Sequence, residues 1–261
     1  MQLFTSMKVL KFWDRVLRPR DFDAPATVEL DLTDRCNHHC PACTDTPIRT
    51  GGQLSLKDIE QLCQLNDLRS VVLKGGGEPT MHPELAKVIQ LFAKANVKVG
   101  LETNGTLVRG LLATTIAQGC DWIRFSIDAT TPKSYRRIHG VEGLNQVVDN
   151  VAELARLRKS LETRVTVGVG FIIFPFNLGD LRSSAELFER AGADYVSYRF
   201  ATGLRYDRRT LNRVRAILIR CSLERARHSS GCRPDITSSS SGSPCLASVA
   251  TTSATASVPL T

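Results

Sequence analysis

No run of about 18 consecutive apolar residues occurs in this sequence, which excludes a membrane-spanning helix of ordinary length. Nothing in it matches a hydrolase triad, a Walker loop or a dinucleotide fingerprint. The glycine run Gly75-Gly76-Gly77 lacks the G-x-G-x-x-G spacing. The opening stretch MQLFTSMKVLKFWDRVLRPR has neither a long uncharged apolar core nor a small-residue cleavage site, so no secretory signal is expected. The 8 cysteines are unevenly spread, with three in a single loop, which is not the pattern of a secreted disulfide framework. Together these absences point to a reducing cytoplasm.

What remains is a chain of 261 residues, 42% hydrophobic and 23% charged, long enough for one large domain with a substantial core. The net charge is +8, and much of it is local. Arg205, Arg208, Arg209, Arg213, Arg215, Arg220, Arg225 and Arg227 face only Asp207 and Glu224 in the same segment. A solvated helix face accounts for such a run. The rival is a site for RNA, phosphate or another polyanion, although no platform of interleaved aromatics supports nucleic acid as a partner.

The densest chemistry lies in Cys36-Asn37-His38-His39-Cys40-Pro41-Ala42-Cys43, directly after the alternating run Thr27–Thr33. Three thiols at C-x3-C-x2-C spacing can wrap one metal centre, and a thiolate left without a partner is reactive. On ligand chemistry alone a zinc site with His38 or His39 as fourth ligand competes with an iron–sulfur centre. The loop resembles that of the radical S-adenosylmethionine enzymes. The resemblance implies that Cys36, Cys40 and Cys43 ligate a 4Fe-4S cluster whose remaining iron is left for S-adenosylmethionine.

Around this loop a short apolar run, a loop and a helical period recur six times. Strands are expected at Thr27–Thr33, Ser70–Lys74, Val97–Leu101, Asp121–Ser126, Arg164–Ile173 and Tyr195–Phe200. Helices are expected from Ser55, from Pro83, around Leu107, Leu111 and Ile116, over Leu144–Ala155, from Asn177, and from about Thr210 to Arg227. Strands alternating with helices predict an α/β fold with parallel pairing, either doubly wound or a partial barrel. The resemblance selects a partial (β/α)6 TIM-like barrel over residues 25–228. An amphipathic helix over 8–18 is expected to cover it from within an N-terminal segment, 1–24.

In such barrels chemistry gathers at the C-terminal ends of the strands. After the second strand, Gly76-Gly77-Glu78-Pro79 matches the family's GGEP motif. The resemblance implies that the backbone of Gly76 and Gly77 meets the cofactor's amino group, with Glu78 orienting it or reaching the ribose. After the third, Thr103-Asn104-Gly105 matches a TNG pattern and offers Thr103 or Asn104 as a cofactor contact. After the fourth stands Ser126, where the family places a serine near the cofactor. Tyr135-Arg136-Arg137-Ile138-His139-Gly140 is similar to the YRRIRG segment of peptide-maturing and molybdenum-cofactor-making relatives. Arg137 is the expected carboxylate partner, and His139 has no role by this comparison. On the fifth strand, Gly168 and Gly170 share one face and open a groove for the adenine, with close packing as the alternative. At the sixth strand's end, Tyr198 or Arg199 is expected to face substrate.

The resemblance implies reductive cleavage of S-adenosylmethionine to a 5′-deoxyadenosyl radical that takes hydrogen from a peptide or a small metabolite. It also implies an electron donor such as flavodoxin or ferredoxin. After His228 the composition changes: of the last 33 residues, 19 are Ser, Thr or Ala. A disordered tail over 229–261 is expected. Relatives with the YRRIRG-like segment continue into a cysteine-rich extension, and Cys232 and Cys245 are too few for one, which reads as a C-terminus lost by a frame change near residue 229. The rivals to an enzyme are a non-catalytic metal-binding module, an inactive truncated form and a polyanion-binding protein.

Overall fold

The computed structural model describes residues 25–43, 50–229 and 248–249. The expected N-terminal helix lies outside these residues, as does most of the expected disordered tail. Six principal strands run in chain order: β1 (Thr27–Asp31), β2 (Ser70–Lys74), β3 (Lys98–Thr103), β4 (Trp122–Ser126), β5 (Thr166–Ile173) and β6 (Tyr195–Phe200). Every neighbouring pair is parallel, and a two-residue strand β7 (Ser248–Val249) pairs with β6 at Ser197 and Tyr198.

The helices are α1 (Leu56–Cys63), α2 (Leu85–Lys94), α3 (Gly110–Gly119), α4 (Pro132–His139), α5 (Leu144–Ser160), α6 (Asp180–Arg190) and α7 (Arg208–Ser229). A strand order that never reverses puts every right-handed crossover on the same face of the sheet. That excludes the doubly wound arrangement and gives the partial (β/α)6 barrel. Among the described residues no helix is long and apolar enough to cross a membrane.

The register follows from the alternation of side chains. Leu30, Leu73, Val99, Leu101, Ile123, Phe125, Val167, Val169 and Phe171 face the helices and are buried with Ile59, Ile89, Phe92, Val151 and Phe188. Each fully buried Phe or Leu contributes roughly 1.5–3 kcal/mol. A one-residue slip would turn a strand's whole apolar set toward the other face. That other, concave face is polar. It carries Glu29 paired with Lys74 at 2.5 Å and Glu102 paired with Arg124 at 2.5 Å.

Side-chain caps start α1 and α4, whereas α2, α3, α5 and α6 begin without one. Ser55 caps α1 by accepting from the Asp58 N–H, and Thr131 and Ser134 form a reciprocal capping box at α4. Two expectations change. Leu111 lies on the outer side of α3 and is 83% exposed, while Ile116 is buried as expected. The segment Pro132–His139 is a helix of its own, ended by Gly140 in the left-handed region (φ 69).

Candidate metal centre and cofactor cradle

The cysteine loop leaves β1 and is tied at both its ends. Thr33 Oγ1 and the Asp34 N–H donate to Gly52 O at 2.8 and 3.1 Å, and the Leu54 N–H donates to Leu32 O at 2.9 Å. Asp34 Oδ2 accepts from Thr50 N at 2.6 Å and Thr50 Oγ1 at 2.7 Å. A cavity of about 360 Å³ opens here, lined by Asp31, Thr33, Asp34, Gln53 and Gly76 among others.

From the next strand, the GGEP segment lies against the start of the loop. The Gly77 N–H donates to Thr33 O at 3.0 Å and the Glu78 N–H to Arg35 O at 2.7 Å. A Cβ on Gly77 would sit 2.1 Å from Arg35 O and 2.6 Å from Thr33 O. Only glycine lets the two backbones come this close.

Glu78 is buried and turned inward as a hub. Its Oε1 accepts from Thr80 N (3.0 Å), Thr80 Oγ1 (2.6 Å) and Thr103 Oγ1 (2.5 Å), and its Oε2 accepts from Asn104 N (2.7 Å). Burial pushes its carboxyl up, and these donors pull it back down. Through these bonds the carboxylate welds the loops after β2 and β3 together.

Asn104 is spent in a similar way. Its Nδ2 donates to Asn37 Oδ1 at 2.7 Å, and Asn37 Nδ2 donates to Thr106 Oγ1 at 2.8 Å. Thr106 Oγ1 then donates to Asn104 Oδ1 at 2.8 Å. The three side chains close a ring that latches the cysteine loop to the end of β3. The expected Asn104 contact with a cofactor therefore competes with this latch.

The three thiols lie close enough to act on one another. Burial, and then the neighbouring Cys36, Cys43 and Asp128, push the Cys40 thiol up to about 12. Cys36, Cys40, Cys43, Cys63 and Cys120 are all free of disulfides. A set of thiols crowded at a strand end, each raising the cost of its neighbour's ionisation, suits a cation that replaces their protons. The donor set therefore fits an iron–sulfur centre.

Behind Cys40 stands a residue that sequence reasoning left without a role. His139 Nδ1 is 3.7 Å from Cys40 Sγ, and the Asp128 N–H donates to His139 Nε2 at 3.4 Å. Its carbonyl accepts from the His39 N–H at 3.2 Å. Burial holds His139 down at about 3 and Asp128 up at about 7, so their 3.6 Å contact is not an ion pair near neutral pH. Tyr135 and His38 pack on the imidazole, with ring centroids at 4.4 and 5.4 Å. His38 is buried and held near 4, by its burial first and then by His39, which is exposed.

The other expected residues divide. Ser126 lies at the C-terminal end of β4 on the concave face, paired with Gly170. Gly168 lies one layer deeper, and the groove expected there is filled: a Cβ would meet Tyr195 Cζ at 2.1 Å. The neighbour that fills it is a residue of the adjacent strand β6, whereas close packing against a helix was the expected alternative. Arg137 is exposed, its guanidinium carbon 3.9 Å above the ring of Phe176 at the β5 rim. That contact is a cation–π pair. Tyr198 faces the helices, sharing a hydrogen bond with Ser184 at 2.8 Å, whereas Arg199 is exposed on the concave side. Arg208, Arg209, Arg213 and Arg215 of α7 are exposed while Val214 is buried, in keeping with a solvated face.

A family model described as the Radical SAM superfamily matches residues 30–188. The chain belongs to the radical SAM superfamily. Membership implies S-adenosylmethionine and an iron–sulfur cluster as cofactors.

Among radical SAM relatives, the chain is 26% identical over 177 residues to a probable GTP 3',8-cyclase of Thermococcus kodakarensis, covering 66% of this chain and 56% of that one. It is 26% identical over 180 residues to the mycofactocin maturase MftC of Mycobacterium ulcerans, covering 66% and 46%. The crystal structure of Streptococcus suis SuiB bound to its precursor peptide SuiA superposes with a TM-score of 0.67 at 13% identity, covering 87% of this chain and 53% of that one. That likeness speaks for the fold alone. The chain spans about half the length of the curated relatives it matches.

Proposed function

We propose that this radical SAM chain is an enzyme in which Cys36, Cys40 and Cys43 hold a 4Fe-4S cluster and leave one iron for the amino and carboxylate groups of S-adenosylmethionine. The observation that carries the reading is the convergence of three thiols at the end of β1, braced by the GGEP and TNG loops. When bound, the cluster supplies one electron for cleavage of S-adenosylmethionine to methionine and a 5′-deoxyadenosyl radical that takes hydrogen from substrate. Glu78 fixes the turn whose Gly76 and Gly77 backbone borders the cofactor, and Ser126 meets the cofactor from β4. Asn104 acts through Asn37, by holding the loop. Gly168 and Arg137 drop out of the cofactor set, since Tyr195 and Phe176 occupy them.

The substrate, a peptide or a small metabolite, enters over the open strand ends of β5 and β6, and relatives named as maturases and as cyclases stand on either side of that choice. The electron comes from a flavodoxin or ferredoxin, and the setting is cytoplasmic. A second reading has one observation in its favour. His38, Cys40 and His139 offer ligand atoms within 4.8 Å of one another, a set suited to zinc.

The test is anaerobic reconstitution with iron and sulfide, then reduction in the presence of S-adenosylmethionine. Iron and sulfide in near-equal amounts and release of 5′-deoxyadenosine, both lost in Cys40→Ala, are expected. Stoichiometric zinc that survives Cys36→Ala would overturn the cluster in favour of the zinc site.

A further inference from the structure

We propose that His139 is a positioning residue of the cluster, donating a hydrogen bond from Nδ1 to the Cys40 sulfur and thereby raising the cluster's reduction potential. The inference rests on the cluster reading above and concerns this chain's own histidine.

The geometry determines which ring nitrogen carries the proton. The Asp128 N–H points at Nε2 at 3.4 Å, and two donors cannot face each other. The carboxylate Oδ2 of Asp128, at 3.6 Å, is too far to claim a proton from Nε2. Nε2 is therefore the acceptor, and Nδ1 carries the proton toward Cys40 Sγ, 3.7 Å away.

The ring has little freedom to turn away. Tyr135 and His38 pack against it. Asp128 is itself anchored to β5, accepting from the Ile172 N–H at 2.5 Å, and its carbonyl accepts from Asn177 Nδ2 at 2.8 Å. The His139 carbonyl grips the loop as well, accepting from the His39 N–H. Gly140 makes room for this: a Cβ there would lie 2.3 Å from His39 O.

A donor aimed at a ligand sulfur stabilises the more negative, reduced state of a cluster. In a buried setting the bond is stronger than at a surface. Its removal should make reduction harder without removing a ligand.

The experiment compares the reconstituted full chain with His139→Leu, which has no donor, and His139→Asn, whose amide places a donor near the position of Nδ1. The midpoint potential is read by titration with electron paramagnetic resonance detection, before S-adenosylmethionine is added. We expect His139→Leu to shift the reduction equilibrium about tenfold against the reduced form, ~59 mV for a one-electron couple. His139→Asn should restore most of it. A pulsed resonance measurement on protein with isotope-labelled histidine leaves His139 itself in place. It should show a weak nitrogen coupling to the reduced cluster that is retained in His38→Asn and His39→Asn. A loaded cluster with unchanged potential in His139→Leu, no such coupling, or the strong coupling of a directly ligating nitrogen would each overturn the inference while leaving the cluster in place. Failure of wild type to load iron and sulfide would overturn the cluster reading and this inference with it.

Discussion

The strand ends of β1, β2 and β3 and those of β5 and β6 line the same concave face, yet they spend their polar groups differently. On the first side, Glu78, Thr80, Thr103, Asn104, Thr106 and Asn37 bond to one another, and two backbones meet across Gly77 without a side chain between them. On the second side Ile172 and Arg199 are exposed on that face. A catalytic centre that must hold its ligands through electron transfer gains from a shell built in advance. A surface that receives substrate gains from groups not yet committed. We take the first side to be the cluster's and the second to be the substrate's.

The comparison is broken most severely at Gly77. Its missing side chain faces Arg35 O, the Asp34 carbonyl carbon and Thr33 O, all of them backbone. Nothing there can rotate aside, so Gly77→Ala must push the cysteine loop away from the end of β2. We expect a loss of roughly 3 kcal/mol, the upper end for overpacking, with a parallel loss of iron loading. Chemical denaturation of the metal-free chain checks the first part. A loss under about 1 kcal/mol would mean that the loop yields easily and the first side is not braced.

Glu78→Gln is the next largest. The amide keeps the volume, but one carboxylate oxygen becomes a donor facing donors. If it replaces Oε2 it meets the Asn104 N–H, and if it replaces Oε1 it meets both Thr hydroxyls and the Thr80 N–H. Leaving such groups unsatisfied in a buried site costs roughly 2 kcal/mol. Thermal unfolding and hydrogen exchange at Asn104 would register it, and protection at Asn104 equal to wild type would count against the hub.

How much of this was readable in advance follows the same division. The barrel was legible because a strictly alternating strand and a 3.6-residue helix write their buried faces into local spacing, and six repeats in order leave few topologies. The cysteine spacing and the GGEP and TNG segments were legible as positions. Their roles were less so, because which way Glu78 or Asn104 points depends on partners 26 and 67 residues away in sequence. His139 was passed over for that reason: its partner Cys40 is separated from it by 99 residues, and nothing local marks the pair. The surroundings of Arg137 and Gly168 were not legible either, because a motif does not reveal that Phe176 or Tyr195 lies beside them.

The smallest expected effect tests the comparison most finely. Gly168 on the open side shows the same nominal overlap as Gly77, with a Cβ 2.1 Å from Tyr195 Cζ. The obstacle here is the far end of a side chain that is only partly buried, and a ring can swing where a carbonyl cannot. Gly168→Ala should therefore cost roughly 1 kcal/mol, the low end for overpacking. In a Tyr195→Ala background the cost should vanish or reverse, since alanine in an extended strand lowers the entropy of the unfolded chain by the equivalent of about 0.4–1 kcal/mol. The coupling between the two sites, measured by a double-mutant cycle, should then be on the order of 1 kcal/mol. A cost that persisted without Tyr195 would mean that something firmer confines this part of the concave face, and the second side would then be as fully built in advance as the first.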